Sequence, residues 1–240
     1  MTKYVASCSF GKDSLAMLLL ILEKKLPLDE VVFYDTGMEF DCIYRIRDKI
    51  LPLLKEHNIK YVELKPEVPF LYKMFEKPVK KRNGTIGYGY SWCGGMCRWG
   101  TTEKLKAIEK YTNGAYEYIG IAADEKSRIE KTRKDTKKMP LVYYNMTEAD
   151  CLKYCRDRGF SWQEETRDGS MIDLYDILDR VSCWCCANKN LKELKNYYKY
   201  LPKYWEGLKE LQSKTDRPMK NNKYTVFDLE EKFKEEIGDK

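Results

Sequence analysis

The sequence predicts an α/β fold, an open and mostly parallel twisted sheet flanked by helices, with a helical C-terminal region. Three observations carry that prediction. Short strand-like runs at 3–7, 31–34, 61–64 and 116–121 alternate with helical stretches at 13–25 and 41–57, the pattern that builds parallel sheets through right-handed crossovers. The first helical stretch is apolar along nearly its whole length, as expected of a helix pressed against a sheet. A glycine turn joins the first strand to that helix, giving a β-turn-α opening.

With 240 residues, 43% of them hydrophobic and 13% aromatic, the chain can bury one α/β core and support a smaller appended region. The core is expected over 1–145 and includes a long loop at 78–100, rich in Gly, Lys, Tyr and Trp and without periodicity. Segment 124–138 carries seven Lys or Arg and four Asp or Glu, too charged for burial and therefore solvated. Thr147 caps a further helix that ends near Gly159, with Glu148 and Asp150 in the first turn, where acidic side chains complement the helix dipole. Beyond a turn at Arg167-Asp168-Gly169, a Leu/Tyr-rich helical tail broken at Pro202 is expected to about Leu211, and 146–240 as a whole is read as a helical C-terminal region that carries the second cysteine cluster.

Charge and composition exclude several classes. The formal charge of +6 attracts phosphate-bearing partners but forms no dedicated nucleic-acid stripe. The longest apolar run, 15–22, is far short of the roughly 18 to 20 residues that span a bilayer. The N-terminal residues lack the apolar stretch and cleavage site of a secretory signal, so the cytoplasm is expected. Nine cysteines in such a chain read as metal or redox groups rather than as a disulfide framework. His57 is the single histidine, so histidine-based zinc or nucleophile chemistry is disfavoured and any metal is expected on sulfur.

Ser9-Phe10-Gly11-Lys12-Asp13-Ser14 lies between a strand and a helix N-terminus, where free N–H groups and the helix dipole favour an anion. Gly11 is expected to take a positive φ, Ser9 and Ser14 to donate hydroxyls, and Lys12 to supply a full positive charge. The spacing is not that of the GxxxxGK[ST] loop. It resembles the Ser-Gly-Gly-Lys-Asp-Ser pyrophosphate loop of the N-type ATP pyrophosphatases (adenine nucleotide alpha-hydrolase-like proteins), with Phe10 as the departure. Downstream, Asp35-Thr36-Gly37-Met38-Glu39-Phe40 resembles the Asp-Thr-Gly-x-x-Phe segment of the phosphoadenosine phosphosulfate (PAPS) reductase family. Gly120 to Arg128 resembles that family's Gly-x-x-x-x-Glu-Ser-x-x-Arg region, and Pro140-Leu141 with Thr147-Glu148-Ala149-Asp150 resembles its helix cap.

The resemblance covers about 3–190. It implies nucleotide contacts from Ser7, Ser9, Phe10, Gly11, Lys12, Asp13, Ser14, Asp35, Thr36, Gly37, Glu39, Gly120 and Glu125. It also implies a basic side chain closing on the phosphate, Arg128, with Lys131 and Arg133 as substitutes; Lys12, Asp13 and Arg128 are the expected catalytic residues.

Cys183-x2-Cys186 has the spacing that places two thiolates on one metal or cluster, and Cys93-x3-Cys97 completes four sulfurs. Spacing leaves tetrahedral zinc and an iron–sulfur cluster both open, and Cys185 competes with Cys183 and Cys186. Cys8, Cys42, Cys151 and Cys155 are expected in the core. The PAPS reductase resemblance implies a [4Fe–4S] cluster on the four.

The expected function is therefore ATP and Mg²⁺ binding, adenylylation of an acceptor and pyrophosphate release, with sulfur transfer to a nucleic acid or small molecule. A cysteine desulfurase or thioredoxin-like donor and a homo-oligomeric or larger assembly are the implied partners. A PAPS or adenosine phosphosulfate (APS) reductase is the alternative, though the tail thiol used by those reductases has no counterpart, since no Cys follows Cys186. A non-catalytic nucleotide-binding subunit is a third reading.

Overall fold

The computed structural model describes residues 2–95, 97, 100–132 and 134–238. In chain order the elements are β1 (Tyr4–Ser7), α1 (Lys12–Glu23), β2 (Glu30–Tyr34), α2 (Asp41–Glu56), β3 (Lys60–Leu64), α3 (Phe70–Phe75), β4 (Pro78–Lys80), β5 (Ile86–Tyr88), α4 (Thr101–Tyr111) and β6 (Tyr116–Ile119). They continue as α5 (Lys126–Thr132), β7 (Lys137–Lys138), α6 (Pro140–Tyr143), α7 (Glu148–Arg156), β8 (Gln163–Glu165), β9 (Met171–Asp173), α8 (Leu174–Ile177), α9 (Leu191–Tyr200), α10 (Pro202–Gln212) and α11 (Val226–Ile237). Two compact units emerge: Met1–Asp35, Asp41–Lys65 and Leu105–Trp162 form the first, and Thr36–Phe40, Pro66–Lys104 and Gln163–Lys240 the second.

The first unit is the expected parallel α/β sheet. Its five strands run in the order β3-β2-β1-β6-β7, every neighbouring pair parallel. β2 is buried along all five residues, which is why Val31, Val32 and Phe33 form a continuous apolar run rather than an alternating one. α1 is buried from Leu15 to Ile21 and packs on α6 and α7. α7 starts with the expected cap: Thr147 accepts from the Asp150 N–H while Asp150 reaches back to the Thr147 N–H. Segment 124–138, expected to be solvated, is mostly exposed but contains α5 and β7, because Ile129 supplies one buried anchor to the helix.

Glu30 opens β2 with its side chain only 8% exposed, 2.8 Å from Lys3 Nζ and 3.2 Å from Lys60 Nζ, and it accepts the Tyr111 hydroxyl at 2.5 Å. Burial pushes its carboxyl up, but the bonds from Lys3, Tyr111 and Lys60 outweigh that and hold it below the usual range. A depressed carboxyl contributes stability that is present above its unfolded pKa and fades as pH falls. Glu30→Gln is therefore expected to lower stability at pH 7 by about 1.5–3 kcal/mol. The gap to the parent protein is expected to narrow below about pH 4.3, read by urea denaturation at pH 7 and pH 3.

The second unit holds two antiparallel hairpins, β4–β5 and β8–β9, and the helices α9, α10 and α11. The β4–β5 hairpin lies in the stretch expected as loop; its strands are three residues each, too short for a visible alternation, and Gly84 at φ +84 makes the turn. Capping boxes at Asn190/Glu193 and Thr225/Asp228 start α9 and α11. Trp205 of α10 fills the centre, 5.5 Å from the Tyr198 ring of α9 and 5.9 Å from the Phe233 ring of α11. Among the described residues no helix is long and apolar enough to cross a membrane.

Candidate functional site

Strand order in the first unit reverses at β1, which has β2 on one side and β6 on the other. Open α/β sheets bind ligands beyond the carboxyl end of a strand at such a reversal. There the chain turns into α1, whose first N–H groups lack intrahelical acceptors. The conformation of the turn corrects one expectation: Phe10, not Gly11, takes the positive φ, at 58°, while Gly11 is the extended N-cap at φ −74° and ψ 166°.

A left-handed phenylalanine costs roughly 1–2 kcal/mol. Burying its ring stabilises by about 1.5–3 kcal/mol, so the packing outweighs the strain. Phe10 is fully buried, meets Phe33 edge-on at 5.2 Å, and its carbonyl accepts from Trp162 Nε1 at 2.8 Å. Within the turn Ser14 Oγ donates to the Gly11 carbonyl at 3.1 Å, accepts from the Ser9 N–H at 3.2 Å and lies 3.2 Å from Ser9 Oγ.

Lys12 is only 7% exposed and places Nζ 2.9 Å from Asp13 Oδ1 and 2.5 Å from Glu148 Oε2. Burial alone would lower the ammonium pKa, but the Glu148 and Asp13 pairs outweigh it and hold it above the ordinary value. Asp13 is raised chiefly by burial in spite of Lys12, with Glu148 and Glu125 adding like charge. The expected cation is thus already balanced by carboxylates. Sequence reasoning saw Glu148 only as a first-turn acid, because its partner lies 136 residues earlier.

Gly120 follows β6 directly beneath the start of α1. A Cβ on it would sit 2.7 Å from Ser14 Cα and 2.8 Å from Ser14 N, so a glycine is required for the helix to approach. Glu125 Oε2 accepts from the Ala122 N–H at 3.2 Å, and Arg128, half exposed, pairs with Glu125 Oε1. Lys131 is exposed on α5, and Arg133 lies outside the described residues. Ser7 Oγ donates to Glu117 Oε1 at 2.7 Å, and Asp35 Oδ1 accepts from the Tyr44 hydroxyl at 2.7 Å. Cys8, Cys42, Cys151 and Cys155 are buried.

Thr36, Gly37 and Glu39 belong to the second unit, where they meet a cysteine. Thr36 Oγ1 donates to Glu39 Oε1 at 3.0 Å and lies 3.6 Å from Cys183 Sγ, which is 4.0 Å from Glu39 Oε1. Gly37 makes the intervening turn at φ +73°.

Cys93, Cys97, Cys183, Cys185 and Cys186 line a single cavity of about 90 Å³ in this unit, walled on one side by Phe70, Met74 and Trp92. Asn188 clamps the two cysteine-bearing loops together: its Oδ1 accepts from the Gly95 N–H at 2.7 Å and its Nδ2 donates to the Gly95 carbonyl at 2.7 Å. No sequence signal pointed to Asn188. Cys97 Sγ accepts from the Gly100 N–H at 3.3 Å.

Burial pushes the Cys183 thiol well up, with Glu39 adding to the effect, and burial followed by Cys183 and Cys186 does the same to Cys185. Among the described residues, no three of His, Cys, Asp and Glu are gathered so as to hold a metal ion as they stand. The donor set nevertheless fits a sulfur-held group. Five thiols share one cavity, and Cys97 already receives an N–H···S bond.

An uncharacterised protein of Methanocaldococcus jannaschii is 28% identical over 213 residues, covering 82% of this chain and 39% of that protein. An adenosine 5'-phosphosulfate reductase of Staphylococcus epidermidis is 27% identical over 169 residues, covering 67% of this chain and 63% of that protein. The chain thus spans less than two thirds of the length of these curated relatives. Among solved structures, a U34-tRNA thiolase of Methanococcus maripaludis with its [4Fe–4S] cluster superposes with a TM-score of 0.47 at 13% identity, covering 100% of this chain and 73% of that one. The phosphoadenosine phosphosulfate reductase domain matches residues 3–189, which include the turn after β1 and all nine cysteines, and the chain belongs to that family.

Proposed function

We propose that this chain binds ATP with Mg²⁺ and adenylylates an acceptor, releasing pyrophosphate as the activating half of a sulfur-transfer reaction. The observation that carries this is the turn at the strand-order reversal, where Lys12, Ser9, Ser14 and the first N–H groups of α1 surround the end of β1. The acceptor forms a bond to the α-phosphorus, the bond from that phosphorus to the bridging oxygen breaks, and pyrophosphate departs with the oxygen. Negative charge grows on the departing group, where Lys12 and the turn's donors stabilise it. Arg128 leaves Glu125 to close on the phosphates, with Lys131 and Arg133 as alternatives. Asp13 and Glu148 would hold Mg²⁺, which supplies further charge neutralisation.

Cys93, Cys97, Cys183 and Cys186 would hold the [4Fe–4S] cluster implied by the family resemblance, with zinc as the alternative metal and Cys185 as the alternative ligand. When bound, a cluster supplies electrons or a sulfur-binding iron. The sulfur acceptor is a nucleic acid or small molecule, the donor a cysteine desulfurase or thioredoxin-like protein, the setting the cytoplasm, and the working form a homo-oligomer or complex.

The reductases among the relatives favour a second reading, reduction of APS or PAPS. The two readings separate in paired assays on anaerobically purified protein. Pyrophosphate release from Mg-ATP in the presence of RNA or small-molecule acceptors, without sulfite from either sulfonucleotide, is the expected result. Thioredoxin-dependent sulfite release with ATP inert overturns it in favour of the reductase.

A further inference from the structure

The chain's overall charge signals no nucleic-acid stripe, yet the β4–β5 hairpin of the second unit gathers one locally. Lys77, Lys80, Lys81 and Arg82 fall within a stretch, 77–102, that holds no Asp or Glu. Of the acids that flank it, Glu103 is taken up by Lys73. Among the described residues no carboxylate pairs with Lys80, Lys81 or Arg82, and all three are exposed. Register sets Pro78 opposite Tyr88 and Lys80 opposite Ile86, so these four side chains share one face. Tyr88 is 73% exposed and Ile86 67%, neighbours on that face rather than scattered singly. Lys81 lays its stem over Gly87 on the opposite face.

The hairpin is held still at its base. Gly89, Tyr90 and Ser91 donate their backbone N–H groups to the Lys77, Lys73 and Met74 carbonyls at 2.8, 3.0 and 2.7 Å. Ser91 Oγ lies 2.8 Å from Thr215 Oγ1, and Trp92 Nε1 donates to Gln212 Oε1 at 3.0 Å. Trp92 and Cys93 already line the cysteine cavity, so the hairpin leads without a break into the candidate sulfur site.

A flat aromatic face beside unpaired cations complements a nucleic acid whose bases are free to stack and whose phosphates lie alongside. In a duplex the base faces are already covered, and Tyr88 would find only edges and backbone. DNA is kept as duplex whereas RNA exposes loops and ends, which singles out RNA. Strand addition by another protein is disfavoured, since both strands are three residues long and lysine blunts such an edge. A lipid surface fits less well, because one tyrosine and one isoleucine offer little apolar area to bury.

We propose that the β4–β5 hairpin docks single-stranded RNA, Tyr88 stacking on an unpaired base while Lys80, Lys81 and Arg82 meet the phosphates around it. This deepens, and rests on, the reading of a nucleic acid as the sulfur acceptor: the hairpin holds the strand beside the loop that carries Cys93.

The test titrates the full chain, without ATP and over a range of salt, against a short fluorescein-labelled RNA without self-complementarity, a DNA duplex of the same sequence and phosphatidylserine vesicles. Anisotropy reads the nucleic acids and co-sedimentation the vesicles. The parent is expected to bind the RNA more tightly than the duplex. Tyr88→Ala is expected to weaken RNA binding by about 5- to 150-fold, the worth of one stacked base, and Tyr88→Phe, which keeps the ring, to match the parent. Joint Lys80→Ala and Lys81→Ala substitution is expected to flatten the slope of log affinity against log salt by about 0.7 per lysine. Lys49→Ala, exposed on α2, is the control and is expected to bind like the parent. Melting temperatures accompany each variant; if Tyr88→Ala melts early, the salt slope of the lysine variant decides.

Parent-like affinity in Tyr88→Ala together with a parent-like salt slope in the lysine variant overturns the proposal. So does a parent that prefers the duplex or the vesicles to the RNA, or that binds none of the three. Pyrophosphate release from Mg-ATP by the parent is measured separately with small-molecule acceptors. Its absence overturns the activation reading, whereas the ATP-free RNA titration decides the hairpin.

Discussion

Lys12→Met is expected to slow pyrophosphate release from Mg-ATP by about 10²–10³-fold, the usual loss when one donor is removed from a preorganised site that receives growing negative charge. The ammonium is buried and already held by Asp13 and Glu148, so a triphosphate must take it from these carboxylates or bring Mg²⁺ to occupy them. That gives the variant a partner experiment. Glu148→Gln leaves Lys12 more available, so nucleotide without Mg²⁺ is expected to bind more tightly to it, whereas Mg-ATP is expected to bind less well. Turnover and equilibrium binding of ATP, each with and without Mg²⁺, read both effects. Unchanged turnover and affinity in Lys12→Met would remove the turn after β1 from the reaction.

Gly120→Ala is expected to lower stability by about 1–3 kcal/mol, the cost of overpacking a tight contact, and to abolish measurable ATP binding. The added methyl meets backbone atoms, Ser14 Cα at 2.7 Å and Ser14 N at 2.8 Å, rather than the movable end of a side chain. Relief therefore requires lifting the first turn of α1, the same turn whose N–H groups are proposed to meet the nucleotide. Gly94→Ala is the control, since its new methyl finds nothing nearer than 3.9 Å. Thermal melts and ATP titration of the two variants check the contrast; a Gly120→Ala protein that melts and binds like the parent would mean that α1 does not pack on Gly120 as described.

What could be read from the chain was local and periodic. The strand–helix alternation placed β1, β2, β3 and β6 to within a few residues, and the Thr147 cap was legible from side-chain chemistry alone. What could not be read was long-range. Lys12 appeared as an open cation because nothing near it in sequence reveals Glu148. The motif that marks Thr36 and Glu39 as nucleotide contacts gives no sign that they also meet each other and, 147 residues after Thr36, Cys183. The positive φ was given to the glycine of the turn on intrinsic preference, and tertiary packing on Phe33 and Trp162 moved it to Phe10. The Asn188 clamp is likewise a property of two loops meeting, with no trace in either loop alone.

Phe10 belongs to the turn and to the apolar interior at once. A turn built on two glycines stays supple until a ligand arrives and surrenders that freedom on binding; here the freedom is surrendered when the sheet and α1 come together. The proposed cradle therefore has no independent softening point: warming that loosens the packing behind it is expected to end ligand binding there in the same cooperative event that melts the surrounding unit.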